Sequence, residues 1–363
     1  MIRIATIGTS AISRGLISVL NANPHATYVG TLSRNEASAE SFTREHGGTR
    51  PFTNLDELAA SPDVDAVYIG SPNALHGTQA LACIAGGKHV LVEKAFCANR
   101  AETASVFDAA EAAGVVALEA MRPAHDPAFW ALRDALPQLG RLRRATLRFG
   151  KYSSRYDEIL AGRRTNIFDC AMASGALMDI GVYAVEPMIA LLGMPEHATC
   201  AAALLDESTR AITNGAIDGA GVITASYPGM VATAQYSKIT NDLASSQLEG
   251  ELGTLTVDSI STPGRARVDL RATKGGDAVG YSGIDTAAHE LELPHADNTM
   301  AYELDDFITA IEAVQAGTSA LEAAAGPFGT VGHFRDLTLD TMALMDEARR
   351  QAGIVFPADK RLA

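Results

Sequence analysis

The chain has 363 residues, of which 47% are hydrophobic, so it is long enough to form two domains with a core in each. Its 43 acidic residues outnumber the 29 basic ones, which gives a net charge of −14. A charge of this sign repels phosphate backbones and anionic lipid surfaces, so we expect neither a nucleic-acid nor a membrane partner.

The cysteines and the absence of targeting signals indicate a reduced, cytoplasmic protein. The four cysteines show no close spacing typical of a disulfide framework or a zinc site, and we predict no metal site. No basic and apolar leader precedes the first apolar run, and no run of 18 apolar residues occurs. We therefore expect neither export nor membrane insertion.

Short apolar runs alternate with helical patterns in the first third of the chain. The runs predict strands at residues 2–7, 27–32, 66–69, 89–92 and 115–118. Such alternation is typical of a parallel sheet with helices on both faces, joined by right-handed crossovers. We predict an α/β domain over residues 1–121, a doubly wound parallel sheet of the Rossmann kind.

The pattern changes after about residue 141, which indicates a second, α+β domain over residues 122–363. Period-two segments rich in Thr, Val and Tyr predict a mainly antiparallel sheet, with strands at 143–149, 221–227, 231–236 and 265–271. Apolar residues at three and four spacing predict helices at 299–316 and 329–351. We expect these helices to flank the sheet and to pack back onto one of the two layers.

The turn after the first strand has the geometry of a dinucleotide site. Gly8 ends the strand and a helix opens near Ser13, so backbone N–H groups at the helix start can hold a pyrophosphate. We predict that Gly8, Ser10, Ala11 and Ile12 form this loop. The usual three glycines are replaced by Gly8, Ser10 and Ser13, and the alternative is that Gly8 only ends the strand.

The second strand ends without the acidic residue that NAD-specific proteins use to bind the ribose. Ser33 and Arg34 stand there instead, and they can hold a 2′-phosphate through charge-assisted hydrogen bonds. This pair predicts NADP rather than NAD and argues against a methyltransferase. The alternative is that Arg34 only covers the solvated start of the next helix.

Polar side chains follow the strands predicted at 66–69 and 89–92. Ser71, Asn73 and His76 come after the first of them, and Glu93 and Lys94 come after the second. Ligands of an open parallel sheet bind beyond the carboxyl ends of its strands, so we expect these residues to line the cofactor site. We expect His76 to line it rather than to catalyse, and Glu93 to orient Lys94 or to cap a helix. The alternative for Lys94 is an ordinary solvated lysine.

Asp179 and Tyr183 are four residues apart, so on a helix their side chains share one face. They form a candidate acid/base pair if a cation such as Lys94 lowers the pKa of the phenol, which is ordinarily about 10. The alternative is that Asp179 caps a helix and Tyr183 fills the interface between the domains.

Together these segments resemble the Gfo/Idh/MocA family, named after glucose-fructose oxidoreductase and inositol dehydrogenase, over nearly the whole chain. The resemblance rests on the Gly8 turn, residues 71–76, 93–94, 119–121, 175–183 and 356–359. Many members carry histidine where Tyr183 stands, so the chain is most similar to the branch with NADP-dependent xylose dehydrogenases and dimeric dihydrodiol dehydrogenases. Ala95 replaces the proline of the family's Glu-Lys-Pro, and Ser10 replaces a common glycine.

The resemblance implies that Lys94 and Tyr183 meet over a nicotinamide. We predict an NADP-dependent dehydrogenase or reductase of a sugar, polyol or cyclic diol, in which Tyr183 exchanges the hydroxyl proton, Lys94 stabilises oxyanion charge and Asp179 orients them. The alternatives are an NADP-binding regulator or scaffold without turnover, and a nucleotide-free structural module. Four residues flank the predicted cleft as candidate hydroxyl ligands: Arg122, Tyr156, Arg163 and Asn166.

The second sheet offers a face of alternating apolar and small residues, among them Val222, Thr224, Ala232 and Ala234. We predict that it pairs with a second subunit, in a homodimer or a higher homo-oligomer, as the resemblance also implies. The alternative is a face covered by the chain's own helices.

Overall fold

The computed structural model describes residues 1–271 and 286–361. Five strands form the first sheet: β1 (Ile2–Ile7), β2 (Ala26–Leu32), β3 (Ala66–Ile69), β4 (His89–Glu93) and β5 (Ala117–Ala120). Their order is β2-β1-β3-β4-β5, and every neighbouring pair is parallel. The predicted Rossmann-type sheet is confirmed, and the strand ends differ from the prediction by at most two residues.

The second sheet has eight strands in the described part of the chain. They are β6 (Leu142–Gly150), β7 (His197–Leu204), β8 (Asp218–Tyr227), β9 (Met230–Ser237), β10 (Ser246–Gly250), β11 (Gly253–Val257), β12 (Ala266–Arg271) and β13 (Thr286–Glu290). Their order is β13-β12-β11-β10-β6-β9-β8-β7. Among these strands β6 and β9 pair in parallel and the other pairs are antiparallel, so a mainly antiparallel sheet is confirmed.

Twelve α-helices cover the two sheets in the described residues. They are α1 (Ala11–Leu20), α2 (Glu36–Glu45), α3 (Leu55–Ala60), α4 (Asn73–Ala85), α5 (Arg100–Ala113), α6 (Arg122–His125), α7 (Pro127–Ala135), α8 (Ser154–Leu160), α9 (Val182–Leu192), α10 (Arg210–Thr213), α11 (Met300–Gln315) and α12 (Val331–Ala352). Asn35, Asn54 and Asn99 cap α2, α3 and α5 by accepting hydrogen bonds from N–H groups of the first turn.

The last two helices pack back onto the first domain, as expected. Asn298, just before α11, donates through its side-chain amide to the Gly15 carbonyl of α1 at 3.1 Å. Thr338 of α12 donates to the buried carboxyl of Glu119 in β5 at 2.8 Å. The boundary predicted after residue 121 falls between β5 and α6, and the division into two domains there stays a prediction.

One helical stretch, Cys170–Leu192, is long and apolar enough to cross a membrane by length and composition alone. Its most apolar window is 78% buried inside the protein. Within it, Asp179 forms an ion pair with Lys94 of the first domain. The stretch is therefore a core element of this fold rather than a membrane span.

The buried histidine at the start of β4 makes a testable contribution to stability. His89 accepts the Val116 N–H at 2.9 Å, and burial lowers its pKa to about 4. Because the unfolded chain has a histidine pKa of about 6.5, the unfolded state binds the proton first, and stability falls as the pH drops from about 6.5 toward 4. For this one group the loss is on the order of 3 kcal/mol.

We expect His89→Asn to remove this pH dependence, because its amide oxygen can still accept a hydrogen bond and does not titrate. Urea unfolding of both proteins at several pH values between 7 and 4.5 measures the effect. The stability of the wild type relative to the variant should decline as the pH falls. A difference in unfolding free energy that stays constant over this range would contradict the assignment.

Candidate active site

A cavity of about 430 Å³ lies at the carboxyl edge of the parallel sheet. Segments from both domains line it: the turn before α1, the loops after β3 and β4, the start of α6 and the segment that leads into α9. The lining residues are Ser10, Ile12, Gly70, Ser71, Pro72, Asn73, Glu93, Lys94, Arg122, Asn166, Ile167, Met172, Ser174, Asp179 and Tyr183.

The turn between β1 and α1 has the geometry expected of a phosphate loop. Gly8 has φ +104°, and a Cβ there would lie 2.8 Å from the Gly70 carbonyl oxygen, so only glycine fits without a shift. Ser10 caps α1, whose first residue is Ala11, and Ser10 and Ile12 line the cavity. The N–H groups of this first turn therefore lie at the cavity, where a helix start favours an anion.

The two residues predicted to select the cofactor lie at the carboxyl end of β2. Ser33 is half-buried and Arg34 is exposed, and neither lines the cavity. No ion pair engages the Arg34 guanidinium within residues 1–271 and 286–361. The side chain is thus accessible to a phosphate group, and its role stays a prediction.

The loops after β3 and β4 are joined by His76, which is fully buried. Its Nε2 lies 2.7 Å from the Ser71 carbonyl oxygen, and its Nδ1 lies 3.2 Å from the carbonyl oxygens of Ala95 and Phe96. Burial lowers the pKa of the ring. His76 does not line the cavity; its ring holds the two segments together, and its place in the cofactor site stays a prediction.

The other polar residues of these loops do line the cavity. Ser71 donates to the Gln79 side chain at 2.6 Å, and Asn73 donates to the Ala173 carbonyl of the second domain at 3.0 Å. Glu93 accepts a hydrogen bond from Tyr68 at 2.5 Å, and burial raises the pKa of its carboxyl although Lys94 lowers it. Glu93 caps no helix in the described chain, so that alternative is wrong.

Lys94 lies within contact distance of both members of the proposed acid/base pair. Its Nζ lies 2.9 Å from Asp179 Oδ1, 2.8 Å from the Asp179 carbonyl oxygen and 4.9 Å from the centre of the Tyr183 ring. The lysine side chain is only 12% exposed, so it is not an ordinary solvated lysine. The peptide between Lys94 and Ala95 is cis.

The segment that carries Asp179 is not a regular α-helix. Residues Leu177–Gly181 form a wider π-helical turn, and α9 continues from Val182 with Tyr183 in its first turn. The buried carboxyl of Asp218 accepts the N–H groups of Ala176 at 3.0 Å and Leu177 at 2.7 Å, and so fixes the start of the turn. A shared face on one α-helix was expected, but the π turn brings both side chains to the lysine.

The charges of the three groups depend on each other. Burial alone would raise the pKa of Asp179, but Lys94 and Lys238 hold that pKa well below its usual range. Burial lowers the pKa of Lys94, but Asp179 and Tyr183 outweigh it and raise that pKa. Burial raises the pKa of the Tyr183 phenol, and Lys94 and Arg122 offset only part of the increase. Lys94 thus lowers the phenol pKa as expected, but burial outweighs it, and the net pKa lies above its ordinary value.

Two of the four candidate hydroxyl ligands lie at the cavity. Arg122 lies near the Tyr183 phenol and lowers its pKa, and Asn166 also lines the cavity. Tyr156 packs against the ring of Phe168 instead, and Arg163 is exposed and paired with Glu158. These last two side chains do not line the cavity.

Sequence reasoning missed Lys238, which pairs with Asp179 Oδ2. The lysine directly follows a strand of the second domain, with no motif around it to mark a functional residue. It also missed Met172 and Ser174, which line the cavity. Ser174 directly precedes the 175–183 segment, so extending that motif by one residue would have found it.

The outer face of the second sheet differs in part from the prediction. Val222 and Thr224 lie on the half-exposed face of β8, where Thr224 pairs with Thr233 of β9. Ala232 and Ala234 are fully buried and point to the opposite face, which the chain's own helices cover. Two of the four residues are therefore wrong as interface candidates, because successive side chains of a strand alternate between its faces.

Comparisons with known proteins agree with this architecture. Residues 2–120 match the model of the oxidoreductase family with an NAD-binding Rossmann fold, and residues 135–275 match the GFO/IDH/MocA C-terminal domain. The chain is 35% identical to a scyllo-inositol 2-dehydrogenase (NADP(+)) of Bacillus subtilis, over 99% of this chain and 100% of that protein. It is 32% identical to human trans-1,2-dihydrobenzene-1,2-diol dehydrogenase, over 51% of this chain and 54% of that one.

A solved structure shows the same fold. It is the 3-ketoreductase KijD10 of Actinomadura kijaniata in complex with NADP and TDP-benzene, with a TM-score of 0.77 at 23% identity, over 96% of this chain and 97% of that one. The two family models together match more than half of the chain, one in each of the regions that contribute to the cavity. The protein therefore belongs to the Gfo/Idh/MocA family of oxidoreductases.

Proposed function

We propose that the protein is an NADP-dependent dehydrogenase or reductase that acts on a hydroxyl-bearing carbon of a cyclic polyol, a sugar or a cyclic diol. The observation that carries this proposal is the convergence of Lys94, Asp179 and Tyr183 at one cavity, beside the phosphate loop. The similarity to an inositol dehydrogenase over the whole chain makes a cyclic polyol the first substrate class to test.

The residues present fit a dinucleotide. Gly8 leaves room that a Cβ would fill, and the first turn of α1 directs its N–H groups to the cavity. Gly8, Ser10, Ala11 and Ile12 would hold the pyrophosphate, and Ser33 and Arg34 would hold the 2′-phosphate. When bound, NADP supplies a nicotinamide ring that accepts or returns a hydride.

The residues of the chain handle the proton. In the oxidation direction, the O–H proton of the substrate carbinol would go to the phenolate oxygen of Tyr183, while bound NADP would supply the hydride acceptor. The Lys94 ammonium stabilises negative charge on the reacting oxygen, and Asp179 holds that ammonium in place. The Arg122 guanidinium lowers the pKa of the same phenol and so favours its ionised form. Carbonyl reduction runs these steps in reverse.

A spectrophotometric screen at 340 nm tests the proposal. Purified protein is incubated with NADP or NAD and with inositols, aldoses and trans-dihydrodiols, and NADPH is used with the matching ketones. We expect turnover with NADP and at least one cyclic polyol. Saturable NADPH binding, read from its fluorescence, without turnover on the whole panel would favour the regulator or scaffold. The absence of any binding would contradict both.

The cofactor preference gives a separate prediction. We expect Arg34→Ala to raise the Kd for NADPH about 10- to 100-fold, because a charge-assisted hydrogen bond contributes about 1.5–3 kcal/mol. NADH lacks the 2′-phosphate, so its Kd should not change. Arg44→Ala, on the exposed last turn of α2, is the matched control. Equal losses for both nucleotides would show that Arg34 does not bind the phosphate.

We propose further that the protein is a cytoplasmic homodimer joined through the half-exposed face of the second sheet, which includes Val222 and Thr224. The net charge of −14 supports the absence of nucleic-acid and membrane partners. Light scattering coupled to size exclusion measures the mass. A monomer at micromolar concentration would contradict the dimer, and Val222→Glu should shift a dimer toward monomer.

A further inference from the structure

We propose that Lys238 is a positioning residue that pairs with Asp179 so that the charge of Lys94 remains available to Tyr183. The inference rests on the proposed function and deepens it, because it assigns a role to a lysine of the second domain. Lys238 does not line the cavity, so it acts through Asp179 rather than on the substrate.

The geometry divides one carboxylate between two ammonium groups. Lys94 Nζ lies 2.9 Å from Asp179 Oδ1, and Lys238 Nζ donates to Asp179 Oδ2. The Lys238 side chain is 7% exposed, and its backbone is fixed on both sides. Its N–H donates to the Gly219 carbonyl at 2.8 Å, and its carbonyl accepts from the Ser153 N–H at 3.0 Å.

The net charge of Lys94, Asp179 and Lys238 together determines how they act on Tyr183. Lys94 and Asp179 alone would form a neutral pair, whereas the group of three carries one net positive charge. In a buried site with a low effective dielectric, such a charge acts strongly on its neighbours. Among the groups around the Tyr183 phenol, Lys94 and Arg122 favour the phenolate, the carboxyl of Glu93 opposes it, and the buried phenol of Tyr68 is a further neighbour. By sharing Asp179, Lys238 would leave more of the Lys94 charge to favour the phenolate.

A purely structural ion pair would behave differently. It would neutralise the buried Asp179 and stabilise the fold, but its loss would leave the proton affinity of Tyr183 unchanged. The Lys94 ammonium already donates two hydrogen bonds to Asp179, one to its carboxylate and one to its main-chain carbonyl. The Asp179 carboxylate is therefore paired even without Lys238, and Lys238 adds a second positive charge to it.

The test compares Lys238→Gln, which keeps a hydrogen-bond donor without the charge, with Lys238→Arg, which keeps the charge. Lys151→Met, at an exposed lysine, is the control. We expect the pH midpoint of kcat for oxidation to rise by about one unit in Lys238→Gln, and kcat at pH 7 to fall about tenfold. The Kd for NADPH should not change, and Lys238→Arg should restore the wild-type midpoint. A kcat–pH profile equal to that of the wild type would overturn the proposal.

If the substrate screen finds no turnover, the proposed function fails but the role of Lys238 can still be tested by a second measurement. Ultraviolet difference spectra near 295 nm follow phenol ionisation, and subtraction of Tyr183→Phe isolates Tyr183. Its midpoint should rise by about one unit when Lys238→Gln is introduced. An unchanged midpoint would overturn the role of Lys238. Circular dichroism checks the fold, and Lys238→Met replaces Lys238→Gln if that variant does not fold.

Discussion

Tyr183→Phe is expected to lower kcat by about 10²- to 10⁴-fold and to leave NADPH binding unchanged. The variant keeps the buried ring and its edge-to-face contact with Phe149, whose centre lies 5.4 Å away. It loses only the phenol oxygen, which we propose exchanges the substrate proton and whose pKa Arg122 lowers. Steady-state kinetics on the substrate found in the screen, together with NADPH fluorescence, measure the two effects separately.

Tyr156→Phe is the matched control, because Tyr156 is a partly buried tyrosine whose side chain does not line the cavity. Near-full turnover of Tyr183→Phe would remove the phenol from the mechanism. Burial raises the pKa of Tyr183 above its ordinary value, so wild-type oxidation should still accelerate as the pH rises through 9. A rate that levels off near neutral pH would show that a different group accepts the proton.

Lys94→Met is expected to lower kcat by about 10²- to 10³-fold, the usual loss on removing one donor to a developing oxyanion. The ammonium is the cation within 5 Å of the Tyr183 ring that also binds Asp179, so its loss affects both the reacting oxygen and the phenol. Methionine keeps the apolar length of the side chain and limits repacking. Kinetics at several pH values should show the loss together with a shift of the midpoint to higher pH.

The same variant also tests the electrostatics of the buried site. Removal of one partner of a buried ion pair commonly costs about 3–5 kcal/mol, because a charge is left uncompensated. Lys238 still holds Asp179 in Lys94→Met, so we expect a smaller loss in urea unfolding. A loss of about 5 kcal/mol in the free energy of unfolding would show that Lys238 does not compensate the charge of Asp179. Lys151→Met is the control for loss of a lysine charge at an exposed position.

Local patterns were sufficient for much of the fold. Apolar runs with turn residues at their ends predicted all five parallel strands, because a buried parallel strand is apolar on both faces. In the second sheet, the sequence patterns did not predict β7, β10, β11 and β13. The first is rich in alanine, and the other three are only five residues long, so neither composition nor length distinguishes them from loops.

The candidate site was predictable where spacing and strand ends carry the information. Gly8, Lys94, Asp179 and Tyr183 all belong to motifs, and three of them meet at one cavity. The burial of His76 in α4 and its contacts with three backbone carbonyls could not be read from the sequence, because burial depends on the packing of the whole fold. The lowering of the phenol pKa by Lys94 was predictable, but the larger rise from burial was not, since the cost of desolvation depends on the packed surroundings.

By itself, the sequence determined the two sheets, the glycine turn between β1 and α1 and the position of Lys94 after β4, because these follow from periodicity and from strand ends. Only the tertiary structure decided which charges surround that lysine. Lys238 follows β9, whereas Asp179 lies in the π turn 59 residues earlier in the chain. No local sequence pattern connects the two residues. Their contact arises because β9 ends beside the π turn, and such long-range packing is set by the whole fold rather than by any one segment.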